Sequence, residues 1–316
     1  MTAHSAPADQ SVILRPGPWS HRFVPANGAR FHVTEAGEAD APLIMLLHGF
    51  PQMWWCWRDH IPALVAAGYR VAAMDLRGFG ASDKPPHGYD TGGLARDVSG
   101  VIRSLGARDA TIIGQGVGGS VAWSMPALFP QLTRAIASLA MPHPLHLRSV
   151  FRRAAGPGVL KNLAIFQVPF LPERLLRRQD LAVALLRQWG SPDWLDDDNA
   201  EIYREAARVP FVPYGSMEHF RWLVRSIPRA DGRRFNRGVR RPVTVPALQI
   251  HGERDPCLDA KFVKTSVRYA GTQFRFEILD GVGHFPAEEA TSRVGELLRD
   301  WLAEVDSANT AAGAAR

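Results

Sequence analysis

The sequence predicts an α/β architecture: a mostly parallel central sheet flanked by helices, with a helical insertion after the sixth strand. Three observations carry this. Strand-like apolar runs alternate with helix-like runs over residues 19–140, the alternation breaks over 141–240, and it resumes over 241–305. Alternation of that kind makes parallel strand pairs joined by crossover helices, which cover both faces of the sheet. Residues 1–18 are expected to be a flexible N-terminal segment. Residues 306–316, rich in Ala, Asn, Gly and Thr, are expected to be a disordered tail.

The elements follow in order. His21 to Asn27 and Arg30 to Glu35 read as two short strands joined by the turn-forming Ala26-Asn27-Gly28. Leu43 to Leu47 is continuously apolar, as in a strand buried on both faces. A helix from Trp54 to Ala67 stops at Gly68, and Arg70 to Met74 is the next strand. Thr91 to Leu105 reads as a helix, Ala110 to Ile113 as a strand, Gly119 to Phe129 as a helix and Arg134 to Ala140 as a strand. From Met141 to about Arg240 the pattern is helical, punctuated by Pro169, Pro172, Pro192, Pro210, Pro213 and Pro228. This stretch is expected to be a lid. Strand Ala247 to Ile250, helix Leu258 to Tyr269, strand Phe274 to Leu279 and helix Glu288 to Val305 close the domain.

Composition narrows the class. With 46% hydrophobic and 22% charged residues, the 316-residue chain has the makeup of a globular protein rather than a disordered one. Two cysteines, Cys56 and Cys257, make no disulfide framework and suit a reducing, cytoplasmic compartment. No apolar run approaches a membrane span, and Met1 to Gln10 lacks the basic-then-apolar pattern of a signal peptide. The net charge of +6 is concentrated in the middle, where residues 141–241 hold 18 Lys+Arg against 10 Asp+Glu. A solvated Arg-rich surface is the preferred reading, and attraction to acidic lipids or anionic ligands is the alternative. The absence of zinc spacing and of basic-aromatic repeats argues against nucleic acid as a partner. No cofactor and no metal is expected, because no ligand cluster shows metal spacing.

Four motifs fall where strands end, the usual ligand-binding edge of an open α/β sheet. Gly114-Gln115-Gly116-Val117-Gly118-Gly119 has the small-residue pattern of a nucleophile elbow, a sharp strand-to-helix turn that presents a reactive side chain. Here the presenting residue is Gly116, which has no side chain and cannot attack. His48-Gly49-Phe50-Pro51 can aim the Phe50 N–H into the site, where it would join the Val117 N–H in an oxyanion hole; a tight turn that merely needs glycine is the plainer reading. Asp75-Leu76-Arg77-Gly78-Phe79-Gly80-Ala81-Ser82 reads as a structural loop in which the Asp and Arg pair. His251-Gly252-Glu253-Arg254-Asp255 offers Asp255 as the acid that orients a histidine, or as a solvated loop residue or a helix cap. Gly281-Val282-Gly283-His284-Phe285-Pro286 offers His284 as a general base. The chain order elbow, acid, histidine is that of one hydrolase fold.

At these residues the chain resembles the α/β-hydrolases, and among them the epoxide hydrolase and haloalkane dehalogenase branch, over about residues 20–305. The resemblance is carried by His48 to Pro51 with Trp54 to Arg58, by Asp75 to Ser82, by Met141-Pro142-His143-Pro144, by Phe166-Gln167-Val168-Pro169 and by Gly283-His284. It implies a pocket between core and lid, with Trp54, Phe166 and Phe220 among its residues. It also implies a mechanism in which an elbow Asp forms an ester, two lid tyrosines polarise an epoxide, and a histidine–acid pair activates water. This chain departs at three places. Gly116 replaces the Asp, Asn162 and Ile165 stand near the first tyrosine position, and Phe220 matches the second. Tyr203 or Tyr214 could serve from elsewhere. The dehalogenase pattern would also need a Trp where Val117 stands.

The water-activating pair Asp255 and His284 is retained, so the expectation is water-only hydrolysis of a small apolar epoxide, ester or related ligand. The alternative is a silent pseudoenzyme that binds such a ligand. A third reading places Leu160 to Arg178, which mixes Phe166, Phe170 and Leu171 with Arg174, Arg177 and Arg178, on an anionic membrane; packing over the pocket is preferred. Cys56 and Cys257 are weak candidates for a substitute nucleophile.

Overall fold

The computed structural model describes residues 8–147 and 156–314. Its sheet has eight strands: β1 Ser20–Ala26, β2 Ala29–Ala36, β3 Leu43–Leu47, β4 Arg70–Met74, β5 Ala110–Gln115, β6 Thr133–Leu139, β7 Ala247–Gly252 and β8 Phe274–Leu279. The spatial order is β1-β2-β4-β3-β5-β6-β7-β8. The first two pairings, β1 with β2 and β2 with β4, are antiparallel, and those from β4 to β8 are parallel. Every residue of β3, β4 and β5 is buried, which requires cover on both faces.

That cover comes from α1 His60–Ala66, α2 Thr91–Ser104 and α3 Val117–Leu128, then from the closing helices. Asp90 caps α2 by accepting from the Gly93 N–H at 2.8 Å. The insertion between β6 and β7 holds α4 Pro157–Gln167, α5 Leu171–Arg178, α6 Leu181–Trp189, α7 Asp197–Arg208, α8 Val212–Arg225 and α9 Ala230–Gly238. Pro157, Pro172 and Pro213 lie in the first turns of α4, α5 and α8, where a missing N–H costs nothing. After β7 come α10 Ala260–Val263, a 3₁₀ turn over Lys264–Tyr269, and, beyond β8, α11 Pro286–Glu289 and α12 Thr291–Ala314. In packing, α2 lies beside α3, and α1 beside α12.

Several expected elements differ. The helix expected from Trp54 to Ala67 is split into a 3₁₀ turn, Trp54–Trp57, and α1. Pro62 is the reason: a continuous helix would need its missing N–H to reach Arg58 O. The helix expected over Leu258 to Tyr269 is α10 followed by the 3₁₀ turn. The closing helix starts afresh at Thr291 and runs to Ala314, so residues 306–314, expected as disordered tail, are helical. Within the N-terminal segment expected to be flexible, Gln10–Ile13 forms a 3₁₀ turn, and buried Ile13 accepts from Trp54 Nε1 at 2.9 Å. The flexible start expected over residues 1–7, the lid stretch 148–155 and the disordered end 315–316 lie outside the described residues.

The basic insertion is laced by ion pairs: Arg221 with Glu173 at 2.6 Å, and Arg204 and Arg208 with Asp180 at 3.0 and 2.8 Å. Within the stretch from Leu160 to Arg178, Phe166 is buried but Phe170 is 83% exposed. No helix among the described residues is long and apolar enough to cross a membrane.

Candidate active site

The site forms where β3, β5, β7 and β8 end. Gly116 sits between β5 and α3 with φ +53 and ψ −116, the strained corner of the elbow. The corner is held on both sides. Gly116 N–H donates to Leu139 O and Gly118 N–H to His48 O, each at 3.0 Å. A Cβ at Gly118 would come 2.3 Å from Leu47 O, so only glycine allows this close approach. At Gly116 the space is open: a Cβ there would lie 3.4 Å from Gly49 Cα and 3.9 Å from His284 Nε2. The elbow therefore points at the histidine.

His48 is a strut. Its Nε2 accepts from Leu76 N–H at 3.0 Å, so Nδ1 carries the proton and donates to Gly49 O at 2.8 Å. Burial lowers its pKa against the Asp75 charge and the Gly49 bond, so the ring is neutral. The turn that follows brings Phe50 to the cavity beside Val117. Among the described residues, the N–H groups of Phe50 and Val117 make no hydrogen bond.

His284 Nδ1 lies 2.8 Å from Asp255 Oδ2. Asp255 is buried, and its Oδ1 accepts from Cys257 N–H at 2.7 Å and Leu258 N–H at 3.2 Å. It is thus a loop cap as well as a partner of His284, and not solvated. Burial alone would raise its pKa; the His284 charge and hydrogen bond, with His251 and the Cys257 N–H, outweigh burial and take it below the usual carboxylate range. Burial pulls His284 down, but the Asp255 charge and hydrogen bond, aided by Glu289, reverse the sign and leave its pKa above that of a free imidazole.

Glu289 carries no sequence signal of its own beyond lying five residues after His284. Its carboxylate accepts three backbone N–H groups: Gly283 at 2.7 Å, Phe285 at 2.7 Å and Ser191 at 2.8 Å. The first two flank His284, and the third belongs to the insertion. His284 N–H donates in turn to Trp189 O at 2.9 Å. One side chain thereby fixes the histidine loop to the end of α6.

A cavity of about 50 Å³ brings these groups together, with Gly116, Val117, Phe50 and His284 on the core side and Trp189, His219 and Phe220 on the insertion side. Such a space holds a few waters or a small ligand fragment. Phe220 lines it as expected. Phe166 stands behind, its ring centroid 5.8 Å from Phe50 and 5.1 Å from Phe220. Trp54, expected at the pocket, is not there. Its indole is fully buried near the N-terminal strands, 5.3 Å from the rings of Trp19 and His21. The resemblance implies a pocket position for Trp54, but its apolar ring serves the core instead.

Other residues are engaged elsewhere. Tyr203 OH donates to Glu288 at 2.7 Å, and Tyr214 OH to Pro86 O at 3.2 Å; neither lines the cavity. Asn162 donates to Gln188 at 3.0 Å. In the Asp75 loop, the expected Asp–Arg pair does not form. Asp75 accepts from His32 Nδ1 at 2.8 Å and Trp54 N–H at 3.0 Å, whereas Arg77 forks onto Asp97 at 2.6 and 2.7 Å. Cys56 is buried away from the cavity, whereas Cys257 lines it; burial pushes both thiols well up, reinforced by Glu288 at Cys56 and by Asp255 at Cys257. Asp255, Cys257 and His284 also have ligating atoms within 4.8 Å of one another, a grouping that sequence spacing does not reveal. The Asp255 oxygens are already taken by His284 and two N–H groups, which is the geometry of a hydrogen-bonded dyad.

Comparison with known proteins agrees with this architecture. Residues 42–291 match the family model described as alpha/beta hydrolase fold. The chain is 32% identical to the AB hydrolase superfamily protein YfhM of Bacillus subtilis, covering 89% of this chain and 97% of that protein. It is 29% identical to epoxide hydrolase A of Mycobacterium tuberculosis, covering 90% and 97%. Among solved structures, epoxide hydrolase A from Mycobacterium thermoresistibile superposes with a TM-score of 0.74 at 28% identity, covering 90% and 98%. An epoxide hydrolase from an endophytic Streptomyces gives 0.78 at 26% identity, covering 92% and 97%.

Proposed function

This chain belongs to the α/β-hydrolase fold family, in its epoxide hydrolase-like branch, and from that premise we propose that it hydrolyses a small apolar ester, lactone or thioester with water as the nucleophile. The carrying observation is the elbow corner: the Cβ position of residue 116 lies 3.9 Å from His284 Nε2, and Gly116 leaves that position to water. His284 Nε2 takes the water proton while Asp255 holds Nδ1–H and balances the imidazolium charge. The carbonyl oxygen receives the Phe50 and Val117 N–H groups, and each such donor is worth on the order of 10²–10³ in rate. The tetrahedral intermediate then collapses, and His284 returns the proton to the leaving group.

Ring opening of an epoxide is disfavoured on the same evidence. It needs a carboxylate at residue 116 and hydroxyl donors from the insertion, and Tyr203 and Tyr214 are committed elsewhere. A second reading, a pseudoenzyme that binds a small apolar ligand, is favoured by the apolar lining from Leu147, Val159, Leu163, Phe220 and Leu223. The insertion is then a lid that reports the ligand rather than one that encloses a reaction.

The test is turnover of 4-nitrophenyl acetate and styrene oxide by the chain, by His284→Ala and by Gly116→Asp. Ester turnover that His284→Ala removes supports the water mechanism. Ligand-induced thermal stabilisation with no product from either substrate supports the pseudoenzyme and ends the hydrolytic reading.

A further inference from the structure

His219 is a buried polar residue on the insertion wall of the cavity, 2% exposed. Its Nδ1 lies 3.1 Å from Tyr89 O. A carbonyl only accepts, so Nδ1 carries the proton. Burial lowers the ring's pKa to about 4, against smaller opposing effects from the Tyr89 bond and Asp90. The imidazole is therefore neutral at pH 7, and Nε2 is a lone-pair acceptor. Among the described residues, that nitrogen has no hydrogen-bond partner.

The surroundings sharpen its meaning. Among the described residues no Asp or Glu lines the cavity, and the nearby Asp255 carboxylate is engaged by His284 and two N–H groups, which disfavours a cationic ligand. Most of the lining is apolar, so an unmatched acceptor there favours a ligand that can donate to it. A tyrosine hydroxyl can donate as well as accept, whereas this nitrogen only accepts. An ether or epoxide oxygen finds no partner at this nitrogen, whereas an O–H does.

We propose that His219 Nε2 is a recognition acceptor of this cavity, whose lining residues also carry the unpartnered Ser120 Oγ and Trp189 Nε1, and that it favours neutral apolar ligands that carry a hydroxyl group. This rests on the reading of the cavity as the substrate site, and it makes the preferred substrate a hydroxylated ester or lactone.

The test uses benzyl alcohol, ethylbenzene and benzylamine as probes, titrated into the full chain, into His219→Phe and into His284→Ala. In the native chain and in His284→Ala, benzyl alcohol binds more tightly than ethylbenzene, and protonated benzylamine more weakly than the alcohol. In His219→Phe the alcohol-to-hydrocarbon affinity ratio falls about five- to tenfold, the loss expected for one buried hydrogen bond. Should His219→Phe not fold, ¹⁵N-labelled histidine supplies the second readout. The unprotonated Nε2 signal of His219 shifts with benzyl alcohol and not with ethylbenzene. An unchanged ratio in His219→Phe, or a stationary Nε2 signal under saturating benzyl alcohol, overturns the proposal. Because binding is also read in His284→Ala, failed ester turnover overturns the hydrolytic reading alone, and an unchanged ratio overturns this one alone.

Discussion

At Gly116 the backbone takes φ +53 and ψ −116, a region that residues with side chains occupy at a cost of about 1–3 kcal/mol. Since a Cβ there meets only ordinary contacts, Gly116→Asp is expected to fold with a stability loss of about that size, read by urea unfolding. His284 and Asp255 make the pH behaviour testable. The His284 pKa is raised in the folded state. Its pairing therefore stabilises the fold fully below the unfolded value of about 6.5 and is lost as pH rises through the folded pKa. Asp255 is depressed, so its contribution is present above about 3.9 and is lost as pH falls through its folded value. The proposed water activation needs neutral His284, so the acid limb of the rate profile is expected above about pH 6.5. Asp255→Asn removes the raising charge, leaves burial unopposed by it, and moves that limb to lower pH. A limb that stays in place would show that Asp255 does not set the basicity of His284.

Among the elements, the loop carrying His284 depends on Glu289, which receives Gly283, Phe285 and Ser191 N–H at once. Glu289→Gln keeps the volume but removes the charge and one acceptor oxygen. The expected result is a stability loss of about 1–3 kcal/mol and a lower His284 pKa, checked by denaturation and by NMR titration of the ring. This clamp was not legible from sequence, because an acidic residue at a helix start looks the same whether it faces solvent or ties down the loop of His284. The strands were legible. Leu43–Leu47, Arg70–Met74 and Phe274–Leu279 fall on the expected residues, since continuous or β-branched apolar runs bounded by loops have few other uses. Helices that pause were not. Pro62 splits the first one, and the 3₁₀ turn at Lys264–Tyr269 follows a four-residue helix with no sequence break to mark it. The resemblance implies a pocket position for Trp54, whereas tertiary packing sets it against Trp19 and His21.

For the whole molecule, both cysteines are buried with thiols pushed well up by burial, with Glu288 adding at Cys56 and Asp255 at Cys257. Native protein is therefore expected to react with iodoacetamide only slowly at pH 8, and urea-unfolded protein rapidly at both thiols, as mass spectrometry would show. Fast native labelling at Cys257 would reopen it as a nucleophile. The core and the insertion meet at a cavity where Phe50, Gly116, Val117 and His284 stand opposite Trp189, His219 and Phe220. The proposed hydrolysis activates water at this meeting point without a side chain at residue 116. The most direct measurement is the pH–rate profile of 4-nitrophenyl acetate hydrolysis by the native chain beside His284→Ala. Turnover is expected to rise through a pKa above about 6.5 in the native chain and to fall at least a hundredfold in His284→Ala. Equal rates for the two proteins, or no turnover by the native chain at any pH, would contradict it.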